Sequence, residues 1–326
     1  MHNKNMKHLI HEKHHPHLKK RLILEFFGLG ALMAYIIFQR DILQESFATV
    51  LKVEVIWFVS LLMLYWVMLP LSALSYKYIS PKPKKLRLST TIIAHLAGAG
   101  PGRIIPGGVG NLSITALHLK KTGLSIEQAL GVVLTNNVFG LISNATLLIG
   151  VLVLRPETTQ ILTDSISSGQ VLIALGVITA FIVLLQWLFH ARSTRKELLK
   201  TSKQWRKILR QFLGHPKRVI AVLLIAFIIS ILHTFMLDFS AFALGIHISI
   251  TDALIAMSFG VVIGSIFPTP GGVGGVEAGI TAAFIVLGLS PAEAASIAVL
   301  FRVATYWQPL LPGTLAYLYL RERKLL

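Results

Sequence analysis

Two copies of Pro-Gly-Gly-Val-Gly, at Pro106–Gly110 and Pro270–Gly274, are the residues of this chain whose types and spacing most favour binding chemistry. Each copy interrupts a strongly apolar region and is followed by a similar pattern of apolar and turn residues. Glycine leaves the backbone N–H groups open to close approach, and the N-terminus of the helix that follows attracts anions. The repeated breaks therefore predict a site for a phosphate-bearing group between two halves of a membrane protein.

Charged residues near these breaks add to the prediction. Arg103 precedes the first break, Glu277 follows the second, and Arg302 lies in the last apolar stretch, close to the membrane midplane. A charge at that depth costs at least about 2.5–3.5 kcal/mol of free energy on insertion into the membrane, so we expect Glu277 and Arg302 to pair. The pair is either a structural bridge or has a role in binding or gating. Ser113 and Asn137 stand at the equivalent positions of the first half. Arg103 is then the best first-half candidate for a phosphate contact.

The candidate substrate-binding residues are Arg103, Pro106, Gly107, Gly108, Gly110, Asn137, Pro270, Gly271, Gly272, Gly274, Glu277 and Arg302. Asp238, in another apolar stretch, is a candidate proton or ion carrier or a second partner for Arg302. The chain has no cysteine and no Ser/His/Asp, HExxH or Walker pattern. We therefore expect no enzyme activity, no metal site and no cofactor.

The composition indicates the class of protein. The chain is 54% hydrophobic with only 14% charged residues, and its mean hydropathy is +0.70. These values predict an all-α polytopic membrane protein. The formal net charge of +17 arises from Lys and Arg that flank apolar runs, which is typical of topology signals and lipid-headgroup contacts and argues against nucleic acid.

The apolar runs predict about six spanning helices and two re-entrant helical hairpins. The predicted spans are residues 22–38, 55–76, 127–154, 171–189, 219–245 and 292–320. The predicted hairpin arms are residues 88–100 and 104–119 in the first half, and 253–267 and 273–287 in the second. Each arm is shorter than the roughly 30 Å hydrocarbon core, which favours hairpins over further spans.

The positions of Lys and Arg predict that both termini are cytoplasmic, since most of these residues fall on one side of the membrane. The two halves are then inverted repeats. The predicted organisation is a basic, His-rich cytoplasmic tail at 1–21, a first repeat at 22–190, a cytoplasmic basic loop at 191–218 and a second repeat at 219–326. In that loop Trp205 and Phe212 share an apolar helical face, which indicates either a helix lying on the membrane surface or a plain topology anchor.

The segment from Phe267 to Glu277, followed by Gly288-Leu289-Ser290, Ala294 and Arg302, resembles the C-terminal signature of the lysylphosphatidylglycerol synthase transmembrane (flippase-like) family. Arg103 with Pro106–Gly110 resembles its first-half counterpart, and Asn111 stands where many relatives have an acidic residue. The resemblance covers roughly residues 20–320. It implies a bacterial inner-membrane protein related to proteins that move aminoacylated phosphatidylglycerol across the bilayer and favour resistance to cationic antimicrobial peptides. We expect no lysine-transferring domain in this chain.

These observations leave three hypotheses. The first is a flippase-like protein that translocates a phosphate-bearing lipid: an anionic or aminoacylated phospholipid, a glycolipid or a polyprenyl phosphate. The second is an enzyme, or the membrane subunit of one, in lysylphosphatidylglycerol or glycolipid synthesis, with Glu277 or Asp238 as base. The third is a non-transporting scaffold. The expected partners are membrane lipids and no nucleic acid, with a separate synthase or a homo-oligomer as further alternatives.

Overall fold

The structure, a computed structural model, describes residues 53–103, 109–155, 192–266, 269 and 271–326. Throughout these ranges the regular secondary structure is helical, as the composition predicts. The first and fourth predicted spans lie outside the described residues, as do four of the candidate site residues: Pro106, Gly107, Gly108 and Pro270.

Three helices are long and apolar enough to cross a membrane. They are α1 (Val55–Ile79), α4 (Ile126–Leu154) and α6 (Pro216–Ala243), which shorter helices separate along the chain. Their bounds confirm the second, third and fifth predicted spans to within a few residues. Apolar side chains such as Leu141, Ile149 and Leu224 stay exposed on them, as expected for helices whose outer faces contact lipid.

Two pairs of short helices occupy the positions of the predicted hairpin arms. The first pair is α2 (Leu88–Gly98) and α3 (Val109–Lys121), and the second is α7 (Ile250–Ile266) and α8 (Gly275–Val286). The two members of each pair pack against one another. At about 1.5 Å per residue these helices are about 16–26 Å long, too short to cross the hydrocarbon core. Their re-entrance into the bilayer stays a prediction.

The same kind of connection joins each pair of short helices to the helix that follows it. A glycine with positive φ follows the second short helix, Gly123 at 89° and Gly288 at 100°. The serine two residues later caps the next helix: Ser125 forms a capping box with Gln128 in front of α4, and Ser290 forms one with Glu293 in front of α9 (Pro291–Arg302). The sequence repeat is therefore repeated in local backbone geometry.

The structure divides the span predicted for residues 292–320 into two helices joined by a wide turn. After α9 the chain forms a π-helical turn at Val303–Trp307 and resumes as α10 (Leu310–Glu322). The wide turn is closed by the bond from the Gln308 N–H to the Val303 carbonyl at 2.8 Å. Pro309 explains the break, since a proline has no N–H to donate to the carbonyl four residues before it.

The basic loop contains α5 (Arg192–Leu213), which packs against α4. The Trp205 Nε1–H donates to Thr135 Oγ1 at 3.2 Å. Ile208 and Phe212 are buried, and the Phe212 ring packs edge-on against Phe139 at 5.4 Å. The apolar face of this part of α5 is therefore covered by protein, and Phe212, one of the residues of the predicted apolar face, packs on α4.

Packing between the two halves positions the segment after α2. One buried cluster joins α1 to α6, α7, α8 and α9, and another joins α2 and α3 to α10. Because α2 lies against α10, the short 3₁₀ turn Pro101–Arg103 at its C-terminal end is carried to the π-helical turn of the second half. Residues more than 200 positions apart in sequence thus meet at one place.

Candidate functional site

A cavity of about 190 Å³ lies where these elements converge. It receives residues from α1, α6, α7, α8, α9, the 3₁₀ turn and the π-helical turn. The lining residues are Tyr65, Arg103, His233, Met257, Val261, Val276, Phe301, Arg302 and Thr305. The wall of the cavity therefore combines two guanidinium groups, a phenol and an imidazole with apolar side chains.

Arg103 reaches the cavity from the first half and binds the backbone of the second. Its Nη1 donates to the carbonyl oxygens of Thr305, at 2.5 Å, and Tyr306, at 3.0 Å. The Thr305 carbonyl would accept from residue 309 in an α-helix, and that residue is Pro309. Arg103 therefore satisfies acceptors that the break in the last helix leaves open, which is what a buried carbonyl requires.

Arg302 ends α9 and is held by two residues, Gly271 of the second glycine motif and Glu277 of α8. Only 7% of Arg302 is exposed. Its Nε donates to Glu277 Oε1 at 2.9 Å, and its Nη2 donates to the Gly271 carbonyl at 3.0 Å. The other carboxylate oxygen of Glu277 accepts from the Gly274 N–H at 2.9 Å, at the start of α8. The predicted pairing of Glu277 and Arg302 is confirmed.

Tyr306, which the sequence analysis missed, joins the two arginines. The guanidinium carbon of Arg302 lies 4.6 Å from the centre of its ring and that of Arg103 lies 5.3 Å from it. Each cation–π contact is worth about 0.5–2 kcal/mol, so one ring offsets part of the repulsion between two like charges. The four-residue spacing of Arg302 and Tyr306, which places both on one helical face, is the sequence signal that could have found it.

The charges of the cluster do not balance. Glu277 pairs with Arg302, whereas no described carboxylate forms an ion pair with Arg103. The bonds that Arg103 does make go to neutral carbonyls. An uncompensated cation in a largely apolar cavity is suited to bind an anion, and the planar guanidinium suits phosphate in particular. Among the described residues no group of His, Asp and Glu side chains has the composition of a metal site.

The remaining glycines of the second motif form the turn that leads into α8. Gly271, Gly272 and Gly274 have φ of 62°, 67° and 84°. A side chain would strain this backbone, and at Gly271 a Cβ would lie 2.4 Å from the Tyr306 ring. The turn is therefore shaped to present a carbonyl to Arg302 beside Tyr306. In the first motif Gly110 lies in the first turn of α3.

Two predicted site residues lie elsewhere. Asn137 is exposed on α4, and it is the adjacent Asn136 that accepts a hydrogen bond from Ser75 Oγ at 2.6 Å. Asp238 is buried on α6 with 7% of its surface exposed, but it is not among the cavity-lining residues. The carboxylate partner of Arg302 among the described residues is Glu277. The structure thus brings together Arg103, Glu277, Arg302 and the second-motif glycines, without Asn137 or Asp238.

Comparison with known proteins agrees with the motifs. The family model described as the lysylphosphatidylglycerol synthase TM region matches residues 23–313, which include both glycine motifs and the whole of the cavity. No curated protein and no solved structure gives a match to the chain. The match to the family model extends over most of the chain, and this membrane protein therefore belongs to the family of the lysylphosphatidylglycerol synthase transmembrane region.

Proposed function

We propose that this protein translocates a phosphate-bearing lipid across the bacterial inner membrane, with the headgroup passing through the cavity of Arg103 and Arg302. The observation that carries the proposal is that two arginines, one from each half of the chain, line a single cavity among apolar helices. Family membership supports a role in handling lysylphosphatidylglycerol or a related lipid. A charge retained at this depth costs several kcal/mol, which favours a functional reason for keeping it.

The two arginines have different parts in the proposed mechanism. Arg302 is fixed by the Glu277 carboxylate and the Gly271 carbonyl. Arg103 donates hydrogen bonds only to neutral carbonyl oxygens, whereas a phosphate would offer it a full negative charge and a bidentate set of acceptor oxygens. An incoming phosphate would therefore draw Arg103 away from the π-helical turn, while Arg302 stays in place as the fixed contact.

The size of the cavity favours transport of the headgroup with the acyl chains outside. About 190 Å³ is less than the roughly 300–1,000 Å³ of pockets that enclose drug-sized ligands. It admits a phosphate group and not two acyl chains, which would remain in the surrounding lipid. Because Arg103 and Arg302 come from different halves, a rocking motion of one half against the other would alternately load and release the phosphate.

Among the described residues, an enzymatic centre has less support than transport. Both carboxylate oxygens of Glu277 already accept hydrogen bonds, one from Arg302 and one from the Gly274 N–H. A general base needs an oxygen directed at the proton it removes, so Glu277 is better suited to position Arg302. We propose that the chain acts without a cofactor on membrane lipids, with both termini in the cytoplasm.

The test is a lipid-scrambling assay in proteoliposomes that compares the wild-type protein with Arg103→Gln. We expect the variant to lower the initial rate of headgroup translocation by about tenfold or more, because one charge-assisted contact to phosphate is worth about 1.5–3 kcal/mol. Phosphatidylglycerol, lysylphosphatidylglycerol and a polyprenyl phosphate are assayed separately to identify the lipid.

Arg323→Gln is the matched control. Arg323 also lies over a tyrosine ring, with its guanidinium carbon 5.7 Å from the centre of Tyr319, but it is exposed at the end of α10. The control should translocate lipid at the wild-type rate. No movement of any of the lipids by folded wild-type protein would rule out the proposal and favour a scaffold that recruits a synthase.

A further inference from the structure

A second cavity, of about 260 Å³, lies between the C-terminal end of α1, the last turns of α5 and the start of α6. Since α1 and α6 are long and apolar enough to cross a membrane, the cavity lies where two such helices leave the apolar layer. It opens on the face that the distribution of Lys and Arg predicts to be cytoplasmic. The lining residues are Ile79, Ser80, Pro81, Ile208, Gln211, Phe212, His215 and Arg218.

The walls of this cavity divide into an apolar floor and a polar rim. Ile79, Ile208 and Phe212 are buried and provide the floor. On the rim, the His215 Nδ1 is within 2.8 Å of the Gln211 carbonyl, which leaves Nε2 available. The Arg218 side chain is partly buried and has no hydrogen bond or ion pair among the described residues. A partly buried guanidinium beside an apolar surface lacks the anion that would compensate its charge.

The segments around this cavity are rich in basic residues. The two segments that border the cavity, residues 77–87 and 198–218, contain twelve Lys and Arg residues and no Asp or Glu. The N-terminus of α6, one turn from the cavity, adds the positive end of a 28-residue helix. Several basic groups close to the cytoplasmic end of membrane spans attract anionic lipid headgroups by about 1 kcal/mol each.

We propose that this cavity binds the phosphate headgroup of an anionic glycerophospholipid, at a site separate from the translocation cavity. Arg218 contacts the phosphate oxygens, Gln211 donates to the headgroup, and His215 Nε2 accepts from a headgroup hydroxyl. The glycerol and first acyl carbons lie on the floor of Ile79, Ile208 and Phe212. The same phosphate chemistry could come from a soluble anion. The apolar floor and the position at the ends of two spans favour the lipid.

The test measures binding of dioctanoyl phosphatidylglycerol, with dioctanoyl phosphatidylcholine as the neutral comparison, to the full chain in detergent by calorimetric titration. Arg218→Gln should weaken binding of phosphatidylglycerol by about tenfold, the worth of one charge-assisted contact. The matched control is Lys217→Gln, which removes an exposed cation one residue away that does not line the cavity, and it should change affinity by less than about twofold. Gln211→Glu, on the exposed rim, should weaken binding by charge repulsion while keeping the fold.

Three results would overturn the proposal. Equal losses in Arg218→Gln and Lys217→Gln would show a diffuse electrostatic surface. Displacement of the lipid by millimolar inorganic phosphate would assign the cavity to a soluble anion. A loss of phosphatidylglycerol binding in Arg103→Gln with no loss in Arg218→Gln would place the measured site in the translocation cavity. The inference can therefore fail while the proposed function stands, and the reverse is also true.

Discussion

Replacing Arg302 by Met should lower the free energy of unfolding by about 3 kcal/mol or more. The substitution leaves the Glu277 carboxylate largely buried without its cation, and breaking one side of a buried ion pair typically costs about 3–5 kcal/mol. The Gly271 carbonyl also loses its donor. Denaturant titration in detergent micelles, with helix content as the signal, measures the effect.

A second substitution separates stability from transport. Adding Glu277→Gln to Arg302→Met removes the negative charge that Arg302→Met leaves uncompensated. The amide oxygen of the new side chain can still accept from the Gly274 N–H. The double variant should therefore recover most of the lost free energy of unfolding. If the Arg302 guanidinium binds the phosphate, this folded double variant should still fail to translocate lipid. Recovery of transport together with stability would show that the ion pair has a structural role alone.

Gly271→Ala should abolish most translocation while the helices remain formed. The new Cβ would lie 2.4 Å from Cε2 of Tyr306, so the ring must move, and both arginines lie over that ring. The φ of 62° adds about 1–2 kcal/mol of backbone strain for a residue with a side chain. We expect a loss of rate of about tenfold or more, since small displacements of a binding group have large kinetic effects. The proteoliposome assay measures it.

Gly245→Ala is the matched control for strain alone. Gly245 has a similar φ of 71°, yet a Cβ there would meet nothing within 4 Å. The control should lose a comparable amount of stability and keep its transport rate. Equal loss of transport in the two variants would mean that strain, and not the position of Tyr306, accounts for the effect of Gly271→Ala.

Local sequence signals were sufficient for the three long apolar helices. The lengths of apolar runs predicted α1, α4 and α6, because a membrane span needs about twenty apolar residues whatever its neighbours are. The two Gly-Leu-Ser segments form similar connections in the structure, since glycine with positive φ and a serine cap are local preferences of the backbone. The break at Pro309 was also visible as a residue type, although the sequence analysis read through it as one helix.

Contacts between distant segments could not be predicted with the same success. The pairing of Glu277 with Arg302 followed from depth alone, because two charges near the midplane of one half have few other partners. The same argument suggested Asp238 as a second partner, whereas the ion pair that Arg302 forms among the described residues is with Glu277, because depth does not specify which side chains face each other. Alignment of the repeats brought in Asn137, although the α4 helix exposes it.

The sequence by itself determined the membrane class, the bounds of the three long apolar helices, the family and the residues that carry charge into the apolar layer, because each depends on composition or on neighbours along the chain. Only the tertiary structure decided that Arg103 meets Thr305 and Tyr306, and that α5 packs on α4. These contacts depend on how α2 lies against α10 and on a carbonyl left open by Pro309. Packing between segments some 200 residues apart has no local signature, so only the folded chain reveals which cations share a cavity.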